Sequence, residues 1–252
     1  MSKAGDSLAV CPIVRGGVRF VLGTRLEVLP LDDGMAWLER TGQSLIRWGD
    51  GETAIVRGKS IPFQTANAAL AEILRQLLRQ ARRDIAIGLP AAALTGSVWG
   101  QRRHVAWLPT RWLWSQHVRT DRTYLDAFMF RDRPIEALAA LKATASRRSW
   151  LVVASSQFED GHYFTDVGRP ATWIGVPSRD AFGDRLRLVD EIRAAAGALT
   201  RATGEADGLI LIAAGPTAKV LVADLAETWR CYDVGHLFHF QRHPAKINVW
   251  SR

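Results

Sequence analysis

Leu209-Ile210-Leu211-Ile212-Ala213 is an unbroken apolar run that ends at Gly215-Pro216-Thr217. It has the length of a strand and no polar alternation, so both of its faces must be buried, as in a parallel sheet covered on each side. Residues 44–48, 84–89, 150–154, 171–176 and 231–234 read as further strands. Between them lie helical stretches: 35–41, 67–83, 133–146, 182–200 and 217–229. In 67–83, Leu70, Ile73, Leu74, Leu77 and Leu78 recur at three- and four-residue spacings with Arg and Gln between them, an amphipathic helix. Pro134 suits the first turn of the 133–146 helix. Short apolar strands alternating with such helices predict an α/β fold, a Rossmann-like, mostly parallel sheet with helices on both faces.

The chain has 252 residues, 48% of them hydrophobic, and shows neither an internal repeat nor a low-complexity tract. It is read as a single domain spanning 1–252. No apolar stretch approaches the roughly 20 residues that cross a bilayer, and residues 1–6 lack the pattern of a secretory leader, so the cytoplasm is the expected compartment. Cys11 and Cys231 are too isolated for a metal pair or a disulfide framework and are read as core thiols. The formal charge of +8 comes mostly from arginine, whose planar fork suits phosphate or carboxylate. Trp107, Trp112 and Trp114, set among Arg102, Arg103, Arg111 and Arg119, form a segment of mixed periodicity. Its composition also fits a basic nucleic-acid-binding module.

Ligands of parallel sheets bind beyond the carboxyl ends of the strands. Three predicted strand ends carry polar chemistry: Asp50 and Glu52, Gly215-Pro216-Thr217, and Asp233-Val234-Gly235-His236. Asp50 and Glu52 flank Gly51. If that glycine takes a positive φ in a turn, the two carboxylates point to one region and suit a hard cation such as Mn²⁺ or Mg²⁺. Arg47 and Lys59 stand on either side, although an isolated Asp-Gly-Glu triplet also fits an acidic surface turn. Gly215-Pro216-Thr217, between a strand and a helix, offers backbone N–H groups and a hydroxyl to an anion. It equally fits a tight turn capped by Thr217. His236, His239 and His243 have metal-like spacing, but Gly235 and Pro244 argue against one continuous helix there, leaving His236 as the candidate to join the carboxylates. The chain has no P-loop, no GxGxxG after a strand, no GxSxG and no HExxH, which removes the usual anchors of NTPases, dinucleotide dehydrogenases, serine hydrolases and zinc proteases.

Ser44-Leu45-Ile46-Arg47-Trp48-Gly49-Asp50-Gly51-Glu52, with Gly58-Lys59-Ser60-Ile61 and Phe63-Gln64 after it, resembles the opening motif of the GT-D fold glycosyltransferases. Pro177-Ser178-Arg179-Asp180-Ala181-Phe182 resembles a second block of that family, with Asp180 where Asn is expected. Leu209 to Ala218, then Leu221, Asp224-Leu225-Ala226 and Asp233-Val234-Gly235-His236, resemble its C-terminal block. The resemblance covers about residues 44–240. It implies a hexosyltransferase that moves glucose or another hexose from a nucleotide diphosphate donor, commonly a UDP-sugar, to a glycan or glycoconjugate acceptor. It also implies Mn²⁺ or Mg²⁺ held through the DxE motif by Asp50 and Glu52 with His236 beside them. Arg47, Gly49, Lys59, Gly215, Pro216 and Thr217 then become candidates for the donor diphosphate. Asp180 and Asp233, with Glu159, are candidate bases for the acceptor hydroxyl. A catalytically inactive nucleotide-sugar-binding protein would carry the same binding residues, and a homo-oligomer is compatible with all of these readings.

Overall fold

The computed structural model describes residues 13–14, 17–18, 27–79, 82–91, 110, 113–114, 116–119, 122–145, 148–161, 171–204 and 208–242. A small antiparallel pair, β1 (Ile13–Val14) and β2 (Gly17–Val18), stands apart from an eight-stranded sheet. The sheet comprises β3 (Glu27–Leu29), β4 (Ser44–Arg47), β5 (Ile85–Leu89), β6 (Thr123–Asp126), β7 (Trp150–Ser155), β8 (Ala171–Val176), β9 (Leu209–Ala213) and β10 (Arg230–Asp233). Their spatial order is β3-β6-β5-β4-β10-β9-β7-β8, and every described pairing among them is parallel. The expected α/β architecture is therefore present.

Direction of travel decides which face each helix covers, because parallel crossovers are right-handed. Connections β4 to β5, β8 to β9 and β9 to β10 all run toward the β3 edge. They place α2 (Asp50–Val56) and α3 (Ala68–Arg79), then α6 (Arg185–Thr203), then α7 (Thr217–Leu225) on one face. The opposite-running connections β3 to β4 and β6 to β7 place α1 (Leu31–Thr41), α4 (Met129–Asp132) and α5 (Pro134–Ala145) on the other, where α8 (Leu237–Arg242) joins them. The strands serve both layers by alternation. Ile210 and Ile212 pack in the first, with Leu70, Leu74, Leu188 and Leu221, while Leu209 and Leu211 pack in the second, with Leu38, Phe130 and Phe238. Each such fully buried side chain contributes about 1.5–3 kcal/mol of transfer free energy, which is why the strands have no polar alternation.

The predicted elements reappear with shifted ends. Helix α1 starts at Leu31, four residues before the expectation, directly after Pro30 and with Asp32 and Asp33 in its first turn, where the dipole favours them. Helix α3 is described as far as Arg79, α7 ends at Leu225, and α6 is preceded by a 3₁₀ turn at Ala181–Asp184. Strands β3 and β6 were not expected from sequence. Cys231 is a buried free thiol, as predicted, and burial pushes its pKa up. Trp114 is fully buried in the first layer, whereas Arg102, Arg103, Trp107, Arg111 and Trp112 lie outside the described residues. No described helix is long and apolar enough to cross a membrane.

After β4 the chain leaves to the first face as α2. After β10 it leaves to the second as α8, and after β9 to the first again as α7. The carboxyl end of β10 is thus flanked on both sides by chain departing to the opposite face, the topological position where a crevice opens.

Candidate functional site

The β4–β10 pairing, Leu45 opposite Tyr232, brings Arg47 and Asp233 together at that end of the sheet. The Arg47 backbone N–H donates to Asp233 Oδ2 at 3.2 Å and its Nε donates to the Asp233 carbonyl at 2.6 Å. Arg47 Nη1 donates to the Ala127 carbonyl, and the guanidinium lies 5.2 Å over the Phe130 ring. Asp233, 0% exposed, also accepts the Gly235 N–H on Oδ1 at 3.0 Å. From α7, Lys219 Nζ reaches Glu52 Oε1 at 2.6 Å, Asp233 Oδ2 at 2.9 Å and the Gly215 carbonyl at 3.2 Å. Glu52 turns its other oxygen, Oε2, to the Gly49 N–H at 2.8 Å. Two acids and two bases therefore form one buried, charge-balanced network, each charge paired and hydrogen-bonded as burial demands. Burial alone would lower the Lys219 pKa, but Asp233 and Glu52 outweigh it and raise the pKa above the ordinary lysine value.

Two glycines are fixed by this packing. Gly235 sits at φ 53°, and a Cβ there would lie 1.8 Å from Arg47 Nη2. Gly215 sits at φ 55°, and a Cβ there would lie 2.8 Å from the Phe63 ring. Only glycine combines that backbone with so close an approach.

Asp50-Gly51-Glu52 differs from the expected turn. The three residues are the first turn of α2, Gly51 has no positive φ, and Glu52 turns back to accept the Gly49 N–H at the helix start, the half of a capping box that a glycine N-cap allows. The two carboxylates consequently part: Glu52 is 7% exposed inside the network, whereas Asp50 is exposed and makes no hydrogen bond or ion pair among the described residues. Among those residues no three Asp, Glu, His or Cys side chains are grouped as a metal centre. His236 follows β10 and faces the Phe63 ring edge-on, with ring centroids 5.8 Å apart. It has solvent on one side, yet crowding by surrounding protein, then the charges of Arg47 and Lys219, push its pKa down to about 4, leaving a neutral imidazole near pH 7. His239 stands edge-on to Phe158, and His243 is outside the described residues.

The depressed His236 value has a defined sign. Between the ordinary 6.5 and about 4 the unfolded chain binds a proton at this residue and the folded protein does not, so stability falls as pH is lowered through that window. Denaturation midpoints measured from pH 7 to 4 should decline less steeply in His236→Gln than in the parent; parallel curves would rule out this contribution.

The other predicted positions are distributed more widely. Thr217 is fully buried and its hydroxyl faces Gln64 Oε1 at 3.5 Å. Pro216 has no N–H, and that of Ala218 donates to the Gly215 carbonyl at 3.1 Å, so this turn offers an anion fewer donors than its sequence suggested. Lys59 is exposed beyond the C-terminal end of α2, opposite to Asp50, with its backbone N–H on the Ala54 carbonyl at 2.8 Å. Asp180, at φ 52°, accepts Thr65 N–H at 2.6 Å and Gln64 Nε2 at 3.2 Å on Oδ1, and Thr65 Oγ1 at 3.1 Å on Oδ2. The Thr65 bonds, backbone first, hold its pKa below the usual carboxylate value. Asp180 thus pins the segment carrying Phe63 beside the Gly215 turn. Glu159 is exposed in a 3₁₀ turn after β7. Lys219 escaped the sequence reading. A lysine followed by Val220-Leu221-Val222 on a helix packed against a sheet has to meet buried acids, and that was the available signal.

A family model described as glycosyltransferase GT-D fold matches residues 45–240. The glycosyltransferase GlyD of Streptococcus pneumoniae serotype 4 is 28% identical over 248 residues, covering 89% of this chain and 29% of that protein. The probable glycosyl transferase Gly of Streptococcus gordonii is 29% identical over 231 residues, covering 84% of this chain and 32% of that protein. The chain therefore spans about a third of the length of these curated relatives. A solved structure, a new glycosyltransferase (DUF1792) from Streptococcus sanguinis, superposes with a TM-score of 0.70 at 26% identity, covering 87% of this chain and 85% of that one. A second, presented as a distinct glycosyltransferase fold, has a TM-score of 0.68 at 23% identity over 88% and 83% of the two chains, a likeness of fold.

Proposed function

The chain belongs to the GT-D glycosyltransferase family, and from that membership we propose that it transfers a hexose from a nucleotide diphosphate donor, a UDP-sugar such as UDP-glucose, to a glycan or glycoconjugate acceptor, with Mn²⁺ or Mg²⁺. The observation that carries this reading is the exposed Asp50 carboxylate at the carboxyl end of β4, beside the topological switch point, held on the buried Glu52–Lys219–Asp233–Arg47 network. A magnesium-like cation that stays bound to phosphate oxygens and water needs only one or two protein ligands. An exposed carboxylate and a neutral His236 imidazole fit that demand, with Glu52 as the adjoining acid. Such a cation neutralises charge on the departing diphosphate. The chain's own part is to fix Asp50 at the start of α2, to keep His236 unprotonated, and to hold Phe63 and the Gly215 turn against each other beside it.

UDP with Mn²⁺ should raise the melting temperature, and Asp50→Ala should remove that shift while lowering the melting temperature without ligand only slightly, by the loss of a carboxylate from the first turn of α2. Absence of a shift with any nucleoside diphosphate and metal would end this reading. Incubating the protein with UDP-glucose and Mn²⁺ without acceptor, and following UDP release, distinguishes a working transferase from a scaffold that only binds its donor.

A further inference from the structure

Asp50 and Glu52 look equivalent in sequence and are opposite in environment. Glu52 uses Oε2 to cap α2 at the Gly49 N–H and Oε1 to meet Lys219. An ammonium has three protons, and Lys219, 4% exposed, has three acceptors: Glu52 Oε1, Asp233 Oδ2 and the Gly215 carbonyl. Its donors are all committed inside the protein, so it has none to offer a phosphate and acts through what it holds. It joins α2, which follows β4, to the end of β10 and to the turn before α7, the three segments that meet at the switch point. Without it, two buried carboxylates would face one another with Arg47 as the remaining cation.

We infer that Lys219 is a positioning residue that latches Glu52 to Asp233 across the β4–β10 seam, so that Glu52 fixes the first turn of α2 and Asp50 alone of the acidic pair presents its carboxylate to a bound cation. This inference rests on the donor-and-cation reading above. The apparent two-acid motif thereby divides into a ligand-facing acid and a structural one.

Calorimetric titration of the whole chain with UDP in the presence of Mn²⁺ tests it, using Asp50→Asn, Glu52→Gln, Lys219→Met and the Lys219→Met/Glu52→Gln double variant, which keeps the buried pair neutral if the single lysine variant fails to fold. Asp50→Asn should abolish the Mn²⁺-dependent part of binding while lowering the unliganded melting temperature only slightly, by the loss of a charge from the first turn of α2. Glu52→Gln should lower that melting temperature and weaken binding by about tenfold, the scale of losing a partner behind a metal ligand. Because Lys219 acts through Glu52, the double variant should bind no more weakly than the worse single one. Multiplying losses in the double variant, or a Glu52→Gln that loses Mn²⁺ as completely as Asp50→Asn at an unchanged melting temperature, would overturn the latch. If the parent bound no nucleoside diphosphate, the donor reading would fail. The latch would then be decided by the same double-mutant cycle in urea without ligand, where coupling between positions 219 and 52 supports it and additive losses refute it.

Discussion

Gly235→Ala should cost this protein about 3–5 kcal/mol, the scale of disrupting a buried ion network. At φ 53° the residue already sits where a side chain is strained, and its new Cβ would stand 1.8 Å from Arg47 Nη2 and 3.1 Å from Cζ. Relief has two routes. Moving the guanidinium gives up its bonds to the Ala127 and Asp233 carbonyls, and moving the peptide gives up the Gly235 N–H bond to Asp233 Oδ1. Either route leaves a buried polar group unpaired. Gly58 supplies the control, because its φ is 75° and a Cβ there meets nothing within 4 Å. Gly58→Ala should cost only the backbone term, about 1–2 kcal/mol. Urea unfolding of the two variants makes the comparison directly; equal losses would show that backbone strain accounts for both and that the Arg47 contact contributes nothing.

The layering of this fold was legible because its cause is local. A run such as Ile85–Leu89 or Leu209–Ala213 has no polar position to place in water, so a doubly covered strand follows. Strands β3 and β6 sit at or next to the sheet edge and are short and partly polar, as in Glu27-Val28-Leu29 and Thr123-Tyr124-Leu125-Asp126, and apolar periodicity does not mark them. The acidic segment follows β4, as expected, but begins a helix where a turn was expected. Two glycines suggested a turn, while Glu52, three residues after Gly49 and so placed to accept its N–H, was the evidence for a helix start. Asp180 in place of Asn proved compatible with its setting, since either residue tolerates the left-handed backbone and presents a carbonyl-type oxygen to the Thr65 N–H. What sequence could not supply was the partnering of charges far apart in the chain. That Lys219 would meet Glu52 and Asp233, and Arg47 the Ala127 carbonyl, depends on β10 inserting between β4 and β9.

That partnering changes the expected behaviour of Asp233. A carboxylate acting as catalytic base has to meet an acceptor hydroxyl, so its Asn variant would remain folded and lose turnover. Here the side chain is 0% exposed. Its two oxygens serve the Arg47 N–H, Lys219 Nζ and the Gly235 N–H, with Arg47 Nη2 at 3.8 Å. Every one of these neighbours is a donor. In Asp233→Asn one oxygen becomes an NH₂ group, which must point its own protons at either Lys219 and the Arg47 N–H or at the Gly235 N–H. The substitution also removes the negative charge that, with Glu52, balances two buried cations. Breaking such a pair from one side costs about 3–5 kcal/mol because the remaining charge stays buried. Asp233→Asn should therefore unfold at clearly lower urea concentration than the parent. A variant as stable as the parent that binds UDP normally and has lost turnover would instead return Asp233 to the role of base, and would require the crevice to open far enough for an acceptor hydroxyl to reach it.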